Sequence, residues 1–157
     1  DVVSLVPERR EELTTEGGLN VITQRAVLAP LVPELREAGL QVSIFIDADV
    51  HQISAAAKLG VRLIEINTGK YAEAKPGPER DAALAAVKQA ARHGRSLGLE
   101  VHGGHGLDYR NVGPIVAIPE ISELSIGFSI VARAAVVGVE RAVREMKDLL
   151  ERSEGDE

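Results

Sequence analysis

Apolar, β-branched runs alternate along this chain with helical patterns, and that alternation restricts its fold more than any other feature. Strands separated by helices of ten or more residues form βαβ units, and such units build a parallel sheet. The candidate strands are Val2–Val6, Val42–Ile46, Arg62–Asn67, Leu99–His102 and Leu124–Ile126. Helices are expected near Val21–Ala38, from an Asp47 or Asp49 cap to Leu59, over Glu79–Leu97, briefly over Asn111–Ala117, and from Ser129 to Leu150. Pro30 and Pro33 fall inside the first helix and should kink or split it, because each lacks an N–H and crowds the preceding turn. Gly39, Gly60 and Gly98 stand where helices stop. The polar tail Glu151–Glu157 is expected to fray.

Two architectures accommodate five such units. One is a doubly wound five-stranded sheet, for which the length is natural. The other is part of a (β/α)8 barrel of the TIM type, which usually takes about 250 residues, so that roughly 90 residues and three strands would lie outside the chain. The sequence opens directly in a strand, Asp1-Val2-Val3-Ser4-Leu5-Val6, without an initiating Met. A start inside a strand suggests a fragment or a mature piece of something longer, and both architectures stay open on the pattern alone.

Composition narrows the function. An apolar content of 45% supports a core. With 24 acidic against 18 basic residues the net charge is -6, which argues against nucleic acid or anionic membranes as partners. Aromatic residues make up 3% of the chain, too few to form stacking platforms for bases. There is no cysteine, so disulfides and thiolate metal sites are excluded and a reducing cytoplasm fits.

Several polar residues sit where a core or a plain loop does not require them. Gly103-Gly104-His105-Gly106-Leu107-Asp108-Tyr109 follows the fourth strand. Its glycines let backbone approach a ligand, and its histidine titrates near neutral pH. In Leu63-Ile64-Glu65-Ile66-Asn67, alternation places Ile64 and Ile66 on one face and Leu63, Glu65 and Asn67 on the other. In a barrel that second face is the interior, where a carboxylate stabilises positive charge or moves a proton. His102 reads as structural, and His51 and His93 as exposed helix residues. Asp47 and Asp49 have the spacing to hold Mg²⁺ or accept a phosphoryl group; a turn contact for Asp47 and a helix cap for Asp49 are favoured. Thr14-Thr15-Glu16-Gly17-Gly18 reads equally as a phosphate loop or a turn. Gly127 and Ser129 lie where the last helix starts and its amides face outward. Glu8-Arg9-Arg10-Glu11-Glu12 reads as a solvated loop.

Taken in order, Leu5-Val6-Pro7-Glu8, Thr14-Thr15-Glu16-Gly17-Gly18, Phe45-Ile46-Asp47-Ala48-Asp49, Ile64-Glu65-Ile66, Thr68-Gly69 with Tyr71-Ala72, Gly104-His105-Gly106-Leu107 with Tyr109 and Asn111-Val112, and Ile118-Pro119-Glu120 before Ile126-Gly127 resemble the pyridoxine 5'-phosphate synthase family. The resemblance covers essentially the whole chain and the later part of the family's sequence. It implies a β/α barrel that works without metal or organic cofactor, in a symmetric assembly of eight subunits, with residues 1–157 forming a single partial β/α-barrel domain, about five of the eight units. The implied reaction condenses 3-amino-2-oxopropyl phosphate with 1-deoxy-D-xylulose 5-phosphate to pyridoxine 5'-phosphate, phosphate and water, in vitamin B6 biosynthesis. It implies His105 as proton donor, Glu65 as transition-state stabiliser, and Thr14, Gly106, Gly127 and Phe128 as substrate-binding residues. The family usually has histidine where this chain has Phe128, so the backbone amide remains there but no imidazole stands beside it. The family's early strands supply a further histidine, a glutamate base and phosphate-binding arginines, and none of those motifs is present. A phosphoacceptor or signalling module using Asp47 and Asp49 is the alternative.

Overall fold

A computed structural model describes residues 1–7 and 17–152. Five parallel strands form one sheet: β1 (Val2–Leu5), β2 (Gln41–Asp47), β3 (Leu63–Asn67), β4 (Glu100–Gly104) and β5 (Glu123–Ser125). The helices between and after them are α1 (Arg25–Glu37), α2 (Val50–Lys58), α3 (Gly69–Glu73), α4 (Pro78–Ser96), α5 (Gly113–Val116), α6 (Phe128–Val137) and α7 (Val139–Arg152).

The strand order in space is β1-β2-β3-β4-β5, the order in sequence. A doubly wound sheet must reverse direction at a switch point. No reversal occurs here, so each crossover advances the same way and the sheet curls as part of a barrel. The doubly wound alternative, and with it the framework of the phosphoacceptor module, is excluded by that order.

The two faces of the sheet differ in chemistry. Ile44, Ile46, Ile64, Ile66 and Val101 point to the helical side and are fully buried against Leu28, Val32, Ile53, Val87, Ala90 and Ala91. Burying each such aliphatic side chain stabilises by about 1.5–3 kcal/mol. Small residues let the helices come close: a Cβ on Gly94 of α4 would stand 2.9 Å from Val101 and 3.2 Å from Ile64. The other face carries Ser43, Phe45, Leu63, Glu65 and His102. Registration sets Phe45, Glu65, His102 and Glu123 side by side across four strands, with Asp47, Asn67, Gly104 and Ser125 in the next row toward the strand C-termini.

The helices depart from the sequence expectation at α1, at α3 and at Gly138. α1 starts at Arg25, four residues after Val21, and runs unsplit through Pro30 and Pro33. Both prolines face solvent, so the missing hydrogen bonds and the ring bulk fall on the outside of the helix. α3 is a short helix that the pattern did not single out. The last helix is broken at Gly138, whose φ of 84° lies in the left-handed region, giving α6 and α7. The segment Glu8–Glu16, with Thr14, and the end of the polar tail lie outside the described residues.

Candidate active site

A cavity of about 1150 Å³ lies at the strand C-termini, where the sheet lines it with Phe45, Glu65 and Ser125. Glu65, His105, Gly106, Gly127 and Phe128 all line it. Four elements bring these five together: β3, the loop after β4, the loop after β5 and the start of α6.

His105 is the only described non-glycine residue with positive φ, at 81°. That conformation is sterically costly for an L-residue, about 1–3 kcal/mol, and persists only where the surroundings over-determine it. The surroundings are visible. The buried Thr68 hydroxyl lies 2.7 Å from the Gly104 carbonyl and 2.6 Å from that of His105, and donates to this pair. The Thr68 amide donates to the Gly104 carbonyl at 2.8 Å. The imidazole packs edge-on to Phe45, with centroids 6.2 Å apart. On its other side a Cβ at Gly69 would stand 2.8 Å from His105 Cδ2, so only glycine leaves room for the ring.

The rest of the loop is tied just as closely. Asn111 donates from Nδ2 to the Gly106 carbonyl at 3.1 Å and accepts at Oδ1 from the Asp108 amide at 2.7 Å. Asp108 caps the turn by accepting from the amides of Arg110 and Asn111 at 2.8 and 3.0 Å. Tyr71 donates to the Asn111 carbonyl at 2.7 Å. These bonds fix the backbone on which the His105 imidazole is mounted.

Glu65 is half-buried at the centre of the row. Burial pushes its carboxyl above the usual range; the Ser125 hydroxyl, donating to it, and the nearby His102 and His105 pull it back, while Glu123 pushes it up. A Cβ on Gly104 would overlap the Glu65 carboxylate, so the glycine run both frees the loop and makes space for the acid.

Asp47 and Asp49 have structural tasks. Asp47 accepts from the Gly18 amide at 2.9 Å and from Asn67 Nδ2 at 3.0 Å, which fixes the turn. Asp49 caps α2 by accepting from the His51 amide at 2.7 Å. Neither lines the cavity. His51 is exposed as expected. His93 is not: it is half-buried, with Nε2 2.7 Å from Ser54 Oγ, where α2 meets α4. The ring of His102 lies on the polar face of the sheet and is 12% exposed. Gly127 is the N-cap of α6 and Phe128 its first residue, 90% exposed. Thr14 lies outside the described residues.

Sequence reading missed Ser125 and Thr68. Ser125 gains its meaning only from being registered beside Gly104, across from Glu65. Thr68 sits next to a strand end like many threonines, and nothing local marks the carbonyls it meets 36 and 37 residues away.

A singly wound parallel sheet with a polar mouth at its strand C-termini places this chain in the β/α-barrel class. Among solved structures it is similar in fold to a chain of the Amycolatopsis orientalis BexX/CysO complex, with TM-score 0.50 and 17% identity, over 84% of this chain and 52% of that one. Sequence carries the assignment further. Residues 1–152 match the family described as pyridoxal phosphate biosynthesis protein PdxJ, and the chain belongs to that family. It is 51% identical over 150 residues to a pyridoxine 5'-phosphate synthase of Synechococcus sp. (strain JA-2-3B'a(2-13)), covering 96% of this chain and 63% of the relative. To the protein of the same name from Thioalkalivibrio sulfidiphilus it is 50% identical, covering 95% of this chain and 61% of the relative. The chain thus spans about three-fifths of the length of the curated relatives it matches. Among the described residues no helix is long and apolar enough to cross a membrane.

Proposed function

We propose that this chain carries the Glu65–His105 part of a pyridoxine 5'-phosphate synthase site, for the condensation of 3-amino-2-oxopropyl phosphate with 1-deoxy-D-xylulose 5-phosphate. The observation that supports it most is the convergence of a half-buried carboxylate and a conformationally forced histidine on one cavity at the strand C-termini. Family membership supplies the substrate class.

In this reading each residue has a task set by its chemistry. His105 donates a proton to a departing hydroxyl, a step for which an imidazole is chemically suited. Glu65, aimed into the same space, offsets positive charge as a Schiff base forms and the ring closes. The amides of Gly106, Gly127 and Phe128 hold phosphate oxygens, two of them at the start of α6 where the helix dipole favours an anion. Thr14 joins them in holding the substrates. Phe128 offers its amide but no side-chain donor. Assembly into eight subunits belongs to the same proposal, and sedimentation at assay concentration checks it.

The test is turnover of the two substrates in a polypeptide containing this chain, with His105→Asn and Glu65→Gln. Both variants are expected to lose product formation while keeping the circular dichroism of the parent. Parental turnover in either would overturn the assignment.

A further inference from the structure

Helix α6 buries none of its own residues, yet its start forms one wall of the cavity. Ser129 and Arg133, four residues apart and so neighbours on one side of the helix, both line that wall. Two hydrogen bonds fasten it to the loop that carries His105. Ser129 Oγ donates to the Leu107 carbonyl at 2.9 Å, and the Tyr109 hydroxyl donates to the Ala142 carbonyl of α7 at 2.9 Å. The left-handed Gly138 separates the two helices, and α7 sets Glu145 against Arg133. Arg133 donates from Nε to Glu145 Oε2 at 2.8 Å and from Nη2 to Oε1 at 3.2 Å. Arg141 Nε donates to the same Oε1 at 2.8 Å. A guanidinium has five N–H donors. The fork uses two of them, and among the described residues Nη1 has no partner.

An ion pair between α6 and α7 would hold the two helices together wherever it formed. Holding them does not require the cation to border the substrate space. Two guanidiniums share one carboxylate, so one positive charge is left over, and of the three groups only Arg133 lines the cavity. A cation has work there. A phosphate monoester carries about -1.5 to -2 at pH 7, whereas the start of a helix supplies roughly +0.5. Phe128 adds no side-chain donor. The other charged residues of the cavity are Glu65, Asp108 and Arg110. Asp108 accepts from the amides of Arg110 and Asn111. Arg110 is exposed and has no ion pair among the described residues, so it loses more side-chain freedom than Arg133 on meeting a ligand. We propose that Arg133 is a phosphate-binding residue of the synthase site. Glu145 holds one edge of its guanidinium, and the free edge binds a phosphoryl oxygen of the substrate whose phosphate sits on the amides of Gly127 and Phe128. This rests on those two amides being a substrate-phosphate site.

The test is a titration of the full chain with inorganic phosphate, read by the Gly127 and Phe128 amides and the Arg133 Nε in ¹H–¹⁵N spectra. In the parent all three resonances are expected to move with one midpoint. Arg133→Met is expected to weaken phosphate binding by about 10–100-fold. Glu145→Gln breaks the same fork but keeps the guanidinium, so it is expected to lose less; a purely structural ion pair would make the two losses equal. In a turnover-competent polypeptide Arg133→Met should raise KM for one of the two substrates and change kcat less. An unmoved Arg133 resonance, binding within twofold of the parent in Arg133→Met, or equal losses in the two variants overturns the proposal. If Arg133→Met fails to fold, the parental Arg133 resonance decides. Phosphate that moves Gly127 and Phe128 but not Arg133 removes only the role of Arg133. Phosphate that moves none of the three removes the phosphate subsite with it. Neither result bears on Glu65 and His105, which turnover of their own variants tests.

Discussion

Replacing Thr68 with valine tests whether the conformation of His105 is imposed from outside. Valine keeps the shape of threonine and removes the hydroxyl that lies 2.7 and 2.6 Å from the carbonyls of Gly104 and His105. The Gly104 carbonyl retains the amide bond from residue 68 at 2.8 Å. The His105 carbonyl loses that partner at a part-buried site, which costs about 1–3 kcal/mol. Once the clamp is gone, the roughly 1–3 kcal/mol of strain at the positive φ of His105 is no longer opposed, and the loop relaxes. Urea denaturation is expected to show a lowered midpoint at unchanged slope, corresponding to a loss of about 1–3 kcal/mol in stability. A misplacement of about 1 Å at a catalytic group costs on the order of 10²-fold in rate, so turnover should fall by that order. Thr68→Ser restores the hydroxyl and should recover most of the rate. Thr68→Val with stability within about 0.5 kcal/mol of the parent and parental turnover would refute the clamp.

His105→Asn should reduce turnover by about 10²–10⁴-fold, the usual worth of a positioned general acid, with the fold retained by circular dichroism. Ser125→Ala removes a donor to Glu65 and should raise its pKa further. A carboxyl whose folded pKa is raised stabilises the fold below its unfolded pKa and loses that contribution as pH rises through the folded value, so Ser125→Ala should lose most stability toward neutral pH and less in acid, measured by urea midpoints across pH. Glu145 is held down to about 2 by the Arg133 and Arg141 guanidiniums that bind it. Its contribution is present above the ordinary carboxylate range and fades as pH falls toward that value, so Glu145→Gln should lower Tm near neutral pH, less so in acid and in high salt. Gly104→Ala should displace the Glu65 carboxylate and lose turnover, and unaffected turnover would contradict the close packing seen there.

The βαβ rhythm, the five strands and the split of Leu63–Asn67 into an aliphatic and a polar face followed from the sequence, because side-chain alternation and helical spacing are local properties of the chain. Asp49 as a cap was legible for the same reason: a cap acts on an amide two residues away. Glu65 and His105 stood out as residues that a sealed core and an ordinary loop have no use for. What the local pattern did not contain was anything set between distant segments. The winding order that excludes the doubly wound sheet is a choice among crossovers of equal length. The break at Gly138 depends on a single left-handed residue, and α1 tolerates Pro30 and Pro33 only because both face solvent. Ser125 beside Glu65, Thr68 beneath His105 and His102 between Glu65 and Glu123 exist as neighbours only once β3, β4 and β5 are registered. The amino-acid order thus determined which residues have the chemistry to act, and the parallel register decided which of them meet, since backbone pairing across the sheet fixes neighbours that chain separation cannot.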